Sequence, residues 1–134
     1  MPELPEVEVV KRSLKNEINN LTIKDVKIID SNLRYKVNKR DLLKLKNLKI
    51  LNIKRRSKYL LFYFDKNFLM IIHLGMTGKF LIIKDKKIKK KTSFYYNIND
   101  NSDKHNRIIF IFKNSLKLIY NDVRKFGFIK FDFV

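Results

Sequence analysis

The sequence predicts an α+β domain, mostly β. One N-terminal helix precedes an antiparallel two-layer β-sandwich of about seven or eight strands. Three observations carry this expectation. Apolar side chains recur every three or four residues near the N-terminus. Beyond residue 21 the period falls to two. Polar and glycine-containing turns then punctuate the chain at roughly ten-residue spacing, the pattern of a sandwich or barrel.

The helix is predicted over residues 5–20, PEVEVVKRSLKNEINN. Val7, Val10, Leu14 and Ile18 form one apolar stripe, and Asn19-Asn20 closes it. Thr22–Asp30 alternates as a strand. Asn32–Lys39 is irregular, and Lys39–Lys46 forms one or two helical turns. Strands follow at Lys49–Arg55, Tyr59–Phe64, Phe68–Leu74 and Lys79–Lys84. Between them fall turns at Asp65-Lys66-Asn67 and Gly75-Met76-Thr77-Gly78. Residues 84–106 hold the charge block KDKKIKKK and the polar stretch NINDNSDKHN. They read as a solvated, mobile connection. Strands resume at Arg107–Lys113, Leu116–Asn121 and Phe126–Val134. No repeat and no linker interrupts the chain, so residues 1–134 are expected to form a single domain.

The 134 residues carry 31 Lys+Arg against 13 Asp+Glu, a net charge of +18. Such a balance fits a polyanionic partner, nucleic acid ahead of an anionic membrane surface. The abundance of Lys, Asn, Ile and Phe also fits an A/T-rich genome, which raises Lys without any function. There is no Cys, which excludes disulfides, a thiol nucleophile and a Cys-based zinc site. Two His are too few for a His-only metal site. No apolar run approaches the ~20 residues of a membrane span, and no secretory signal is visible. A soluble, intracellular protein is expected.

Four stretches could carry chemistry, and each has a structural reading beside the functional one. The chain opens MPELPEVE. Once Met1 is removed, Pro2 presents a secondary amine. An α-amino group titrates at about 7.7–8.0, so part of it is unprotonated near neutrality. Such an amine can form a Schiff base with a sugar aldehyde, and Glu3 beside it can act as acid or base. The same residues suit a helix start, with Pro5 at the first position and Glu6 and Glu8 in the first turn. The two readings are compatible. Lys58, in RRSKYLL, can meet a phosphate or donate a proton, or can guard a hydrophobic strand edge. Met76, bracketed by Gly75 and Gly78, can wedge between bases or cap the core. Arg124 and Phe126, in NDVRKFG, face one side if extended. That arrangement suits gap filling in a base stack, or an ordinary turn.

Taken together, MPELPEVE, RRSKYLL, HLGMTG, the Lys104-His105 pair and NDVRKFG resemble, in order and spacing, the N-terminal domain of formamidopyrimidine-DNA glycosylases. The resemblance spans the whole chain. It implies a bacterial base-excision repair enzyme that removes oxidised purines such as 8-oxoguanine, with associated AP-lyase strand cleavage by β,δ-elimination. It implies that Pro2 is the nucleophile at the sugar C1′, that Glu3 assists sugar ring opening, and that Lys58 donates a proton in β-elimination. Met76, Arg124 and Phe126 would fill the void left by the flipped nucleotide, with Arg124 facing the orphaned cytosine. His105 and Arg124 would contact DNA. The implied partner is double-stranded DNA with oxidised bases or abasic sites. A monomer is implied, in the bacterial cytoplasm and associated with the nucleoid.

The same resemblance implies parts that this sequence does not contain. Family members run to roughly twice the length and add a helix–two-turn–helix module and a Cys-rich zinc finger. Zinc is structural there, and this chain offers no cofactor site. The chain is therefore expected to be the catalytic half of such an enzyme, either a fragment or a truncated product. The alternatives are a non-catalytic basic DNA-binding remnant, an endonuclease VIII-like enzyme for oxidised pyrimidines, or a ribosome- or RNA-associated β-domain.

Overall fold

The computed structural model describes residues 4–84, 87–91 and 102–134, with the backbone alone for 87–91 and 102–103. Pro2 and Glu3 lie outside the described residues. Helix α1 spans Leu4–Ile18 and buries Val7, Val10, Leu14 and Ile18, the predicted stripe. Each such side chain contributes about 1.5–3 kcal/mol relative to staying exposed. Asn20, at φ 69°, turns the chain out of the helix.

Nine strands follow among the described residues, all paired antiparallel. They are β1 (Ile23–Ile28), β2 (Ile50–Arg56), β3 (Tyr59–Phe64), β4 (Phe68–His73), β5 (Gly78–Lys84), β6 (Lys87–Lys91), β7 (Asn106–Phe112), β8 (Lys117–Asp122) and β9 (Phe128–Phe133). A short helix α2, Lys39–Leu43, is capped by Asn38, whose side chain accepts from the Asp41 N–H. One sheet has the order β1-β7-β8-β5-β6, the other β2-β3-β4-β9. Strict alternation along β3 puts Leu60, Phe62 and Phe64 inside. Phe62 meets Phe80 of the other sheet with ring centroids 6.1 Å apart, and Phe80 in turn meets Tyr120.

The ninth strand corrects the reading of residues 84–106. Lys87–Lys91 pairs with β5 and forms a sheet edge, and Ser102–His105 is a 3-10 turn. Residues 85–86 and 92–101 lie outside the described residues. A lysine-rich edge strand is a familiar protection against edge-to-edge aggregation. The charge block that suggested a loop is thus compatible with a strand once a neighbour completes its hydrogen bonds.

Antiparallel pairing decides which ends meet. Tyr59 pairs with His73, and His73 with Phe128. In the larger sheet Gly78 pairs with Asp122, and Asn106 with Asn121. Residues 74–77 join β4 to β5, and residues 123–127 join β8 to β9. Both connections leave the same end of the sandwich. Helix α1 starts at this end too. Glu8, in its second turn, bonds Arg55 near the end of β2, while Asn20 beyond its far end bonds Ile50 at the start of β2.

Candidate functional site

At that end the 74–77 turn and the 123–127 loop are fastened together by one buried carboxylate. Asp122 has no solvent exposure. Its Oδ1 accepts from the Thr77 hydroxyl at 2.6 Å and from the Lys125 N–H at 3.1 Å. Its Oδ2 accepts from the Tyr120 hydroxyl and from the Gly127 N–H, each at 2.9 Å. The Thr77 oxygen in turn accepts from the Arg124 N–H at 2.9 Å. Burial, followed by the neighbouring Asp122, pushes the Tyr120 phenol well above its ordinary value, so it remains a donor.

All three glycines of the chain, Gly75, Gly78 and Gly127, stand around this knot. A methyl group on Gly75 would lie 2.6 Å from the Gly127 nitrogen, and Gly75 also holds a φ of +62°. A methyl on Gly78 would lie 2.7 Å from the Tyr120 hydroxyl, and one on Gly127 would collide with that same oxygen. The two chain segments therefore approach more closely than any side chain would allow.

Packed in this way, the segments present three large groups outward. Met76 is 47% exposed and Phe126 41% exposed. The Arg124 guanidinium lies over the Phe126 ring, 4.7 Å from its centroid, a cation–π contact. The predicted pairing of these two side chains is realised differently from the expectation. Lys125 sits at φ +59°, so the segment is not extended, and the two groups meet by stacking. Met76 does not cap the core. An open groove of about 570 Å³ runs between Arg124, Lys125 and Phe126 on one side and Asn32, Leu33 and Arg34 on the other. The Arg34 N–H donates to the Gly127 carbonyl at 3.1 Å and holds the two walls together.

His105 comes to the same region through a residue that sequence reasoning missed. Arg107 is buried, and its Nε donates to the Asp122 carbonyl at 3.0 Å. The same guanidinium reaches Asp30 at 3.5 Å and His105 Nδ1 at 3.4 Å. Asp30 also pairs with Lys125 at 2.7 Å. The hydrogen bond from Lys125, above all, holds the Asp30 carboxyl below the usual range.

Lys58 occupies the β2–β3 turn, after Ser57 at φ 53°, and is partly buried. It lies near His73, whose imidazole is held below its ordinary value by burial first and then by the Lys58 and Arg34 cations. The Gly75 N–H donates to His73 Nδ1 at 3.0 Å, which leaves the ring proton on Nε2. His73 stacks on Phe128 with centroids 5.1 Å apart, and Tyr59 and Tyr35 pack edge-on around the pair. Lys130 lies over Tyr35 and Phe128. Cations interleaved with aromatic faces in this way suit a nucleic-acid strand. Sequence reading missed this cluster because Tyr35 comes from a segment read as irregular. The cross-strand pairing of Tyr59 with His73 was the signal available.

Lys58, Met76, His105, Arg124 and Phe126 thus share one end of the sandwich, the end at which α1 begins. Pro2 and Glu3 precede that helix start and lie outside the described residues. Among the described residues no group of His, Asp or Glu could hold a metal ion, and no helix is long and apolar enough to cross a membrane.

A helix mounted on two antiparallel sheets, with a basic and aromatic end held by two close-packed connections, defines a class of domain with known members. The sequence model of the formamidopyrimidine-DNA glycosylase N-terminal domain matches residues 1–129, and the chain belongs to that family. The formamidopyrimidine-DNA glycosylase of Rickettsia africae is 40% identical over 129 residues, covering 96% of this chain and 42% of the relative. That of Rickettsia bellii is also 40% identical over the same share of each chain. Among solved structures, the Lactococcus lactis Fpg in complex with abasic-site DNA superposes with a TM-score of 0.80 at 30% identity. The match covers 99% of this chain and 44% of that one. The Lactococcus lactis T221P mutant bound to DNA containing Fapy-dG matches equally well, at 31% identity. The chain spans less than half the length of the relatives it matches.

Proposed function

We propose that this chain is the catalytic half of a base-excision repair DNA glycosylase acting on oxidised purines, with an associated lyase step at the resulting abasic site. The observation that carries this reading is the outward presentation of Met76, Arg124 and Phe126 on two segments fastened by Asp122. A base inside a duplex must be extruded at a cost of a few kcal/mol. Side chains that occupy the vacated stack offset part of that cost. Met76 and Phe126 serve as wedges, and Arg124 offers donors to the orphaned base. Lys58, Arg34 and Lys130 supply cations for the backbone phosphates, and His105 adds a contact beside Arg107.

The chemistry falls to Pro2 and Glu3. The Pro2 nitrogen lone pair forms a bond to C1′ as the glycosidic bond breaks. The departing base takes the electron pair and a proton. Glu3 accepts the Pro2 N–H proton and passes it to the ring oxygen as the sugar opens, leaving a cationic iminium. The iminium acidifies C2′, so loss of a C2′ proton expels the 3′ phosphate. Lys58 donates the proton that this elimination requires.

Borohydride reduction of the iminium tests the proposal. The protein incubated with an abasic-site duplex is expected to give a covalent adduct, and acetylation of Pro2 to abolish it. An adduct undiminished after that block would overturn the assignment. Lys58→Gln is expected to slow strand cleavage about 10²-fold or more, the usual contribution of a positioned acid, with a smaller effect on the adduct. A competing reading, basic DNA binding without catalysis, has the +18 charge in its favour. Salt-sensitive binding with no adduct and no lesion preference would support it.

A further inference from the structure

We propose that Asp122 is the positioning residue of the stack-filling group, and that Thr77 is its link to the Met76 turn. The inference rests on the glycosylase reading above and extends it to the residues that fasten the exposed side chains together.

The argument begins with directions of donation. Each Asp122 oxygen faces a backbone N–H, from Lys125 on Oδ1 and from Gly127 on Oδ2. A backbone N–H cannot reverse its role, so the group must accept on both oxygens. Thr77 has one hydroxyl proton, and it is given to Oδ1. Its lone pairs then remain for the Arg124 N–H. The order Arg124 N–H to Thr77 Oγ1 to Asp122 Oδ1 is therefore fixed in one sense. Through it, Met76, which neighbours Thr77, is held at a set distance and angle from Arg124 and Phe126. Arg107 closes the far side by donating to the Asp122 and Val123 carbonyls. Three side chains that must enter one gap together are thereby carried on one body.

Three substitutions separate this role from general stability. Asp122→Asn keeps the shape of the side chain. Whichever way its amide is turned, however, an NH₂ group meets either the Lys125 or the Gly127 N–H, and one fastening is lost. Thr77→Val removes only the hydroxyl and leaves Asp122 in place. Thr77→Ser keeps the hydroxyl.

The experiment uses the protein as its cell makes it, with borohydride trapping of the same abasic site in a duplex and in a single strand. Only the duplex has a stack to fill. Asp122→Asn and Thr77→Val are expected to reduce the duplex trapping rate about ten- to a hundredfold more than the single-strand rate. That is the size of one lost hydrogen bond to a charged group. Thr77→Ser is expected to restore most of the difference.

Equal losses on both substrates would mark Asp122 and Thr77 as merely structural and overturn the proposal. So would an unchanged duplex rate in Thr77→Val, which tests the link even if Asp122→Asn fails to fold. A wild-type protein that traps on neither substrate would overturn the glycosylase reading, and this inference with it. Wild-type trapping without the predicted split would overturn this inference alone.

Discussion

Tyr120 carries its hydroxyl into the spot where Asp122, Gly78 and Gly127 meet. At this scale the site is governed by space as much as by charge. Gly127→Ala would drive a methyl into that hydroxyl and to 2.7 Å from the His73 carbonyl. The expected cost is about 1–3 kcal/mol, typical of overpacking, read as a lowered urea midpoint with an unchanged slope. Tyr120→Phe should cost about 1–3 kcal/mol by a different route, leaving one lobe of a buried carboxylate without its donor. Neither Tyr120 nor Asp122 stood out in the sequence. Asp122 sits beside Arg124 and Lys125, and the run reads as a solvated polar turn. Its burial depends on β5 and β8 pairing Gly78 with Asp122, a contact 44 residues apart in the chain. Met76 and Arg124 were legible for the opposite reason, because flanking glycines and adjacent cations are local signals.

Among the elements, α1 and β2 are joined by an ion pair between Glu8 and Arg55. Glu8 bonds Arg55 at 2.8 Å and also pairs with Lys11 and Arg12. Arg55 donates onward to the Ser57 carbonyl, next to Lys58. The Arg55 hydrogen bond, then that of Lys11, lowers the Glu8 carboxyl from 4.5 to about 2. A folded-state value below the unfolded one contributes stability above pH 4.5, and that contribution is lost as pH falls through about 2. Urea midpoints measured between those limits should fall for the wild type, and should fall less for Glu8→Gln. Asp25 and Asp30, lowered chiefly by Lys46 and Lys125, add to the wild-type slope in both proteins. The helix and eight strands were legible from periodicity and turn signals, with ends displaced by at most two residues. β6 was hidden because its lysines carry the charge signature of a loop, and only the partner strand β5 reveals it. The Glu8–Arg55 pair spans 47 residues and left no local trace.

For the whole molecule, an excess of 18 positive charges dominates behaviour towards a polyanion. Binding to duplex DNA should weaken linearly in log affinity against log salt, with a slope of about −0.9 for each phosphate neutralised. Lys130→Ala should reduce that slope by about one unit if the lysine meets a phosphate. Phe126→Ala should weaken binding with no change in slope, since a stacking side chain releases no counterions. Fluorescence anisotropy over a range of potassium chloride concentrations distinguishes the two. The fold was legible at this scale because one end of a two-layer sandwich gathers turns from distant parts of the chain. The partner surface was legible only as bulk charge, until the pairing of Tyr59, His73 and Phe128 placed aromatic faces among the cations.

The crowding around Tyr120 also bears on where this sequence carries glycine. This chain retains three glycines in 134 residues. All three stand where even a methyl group has no room. The three glycines outline the junction on which the exposed side chains depend.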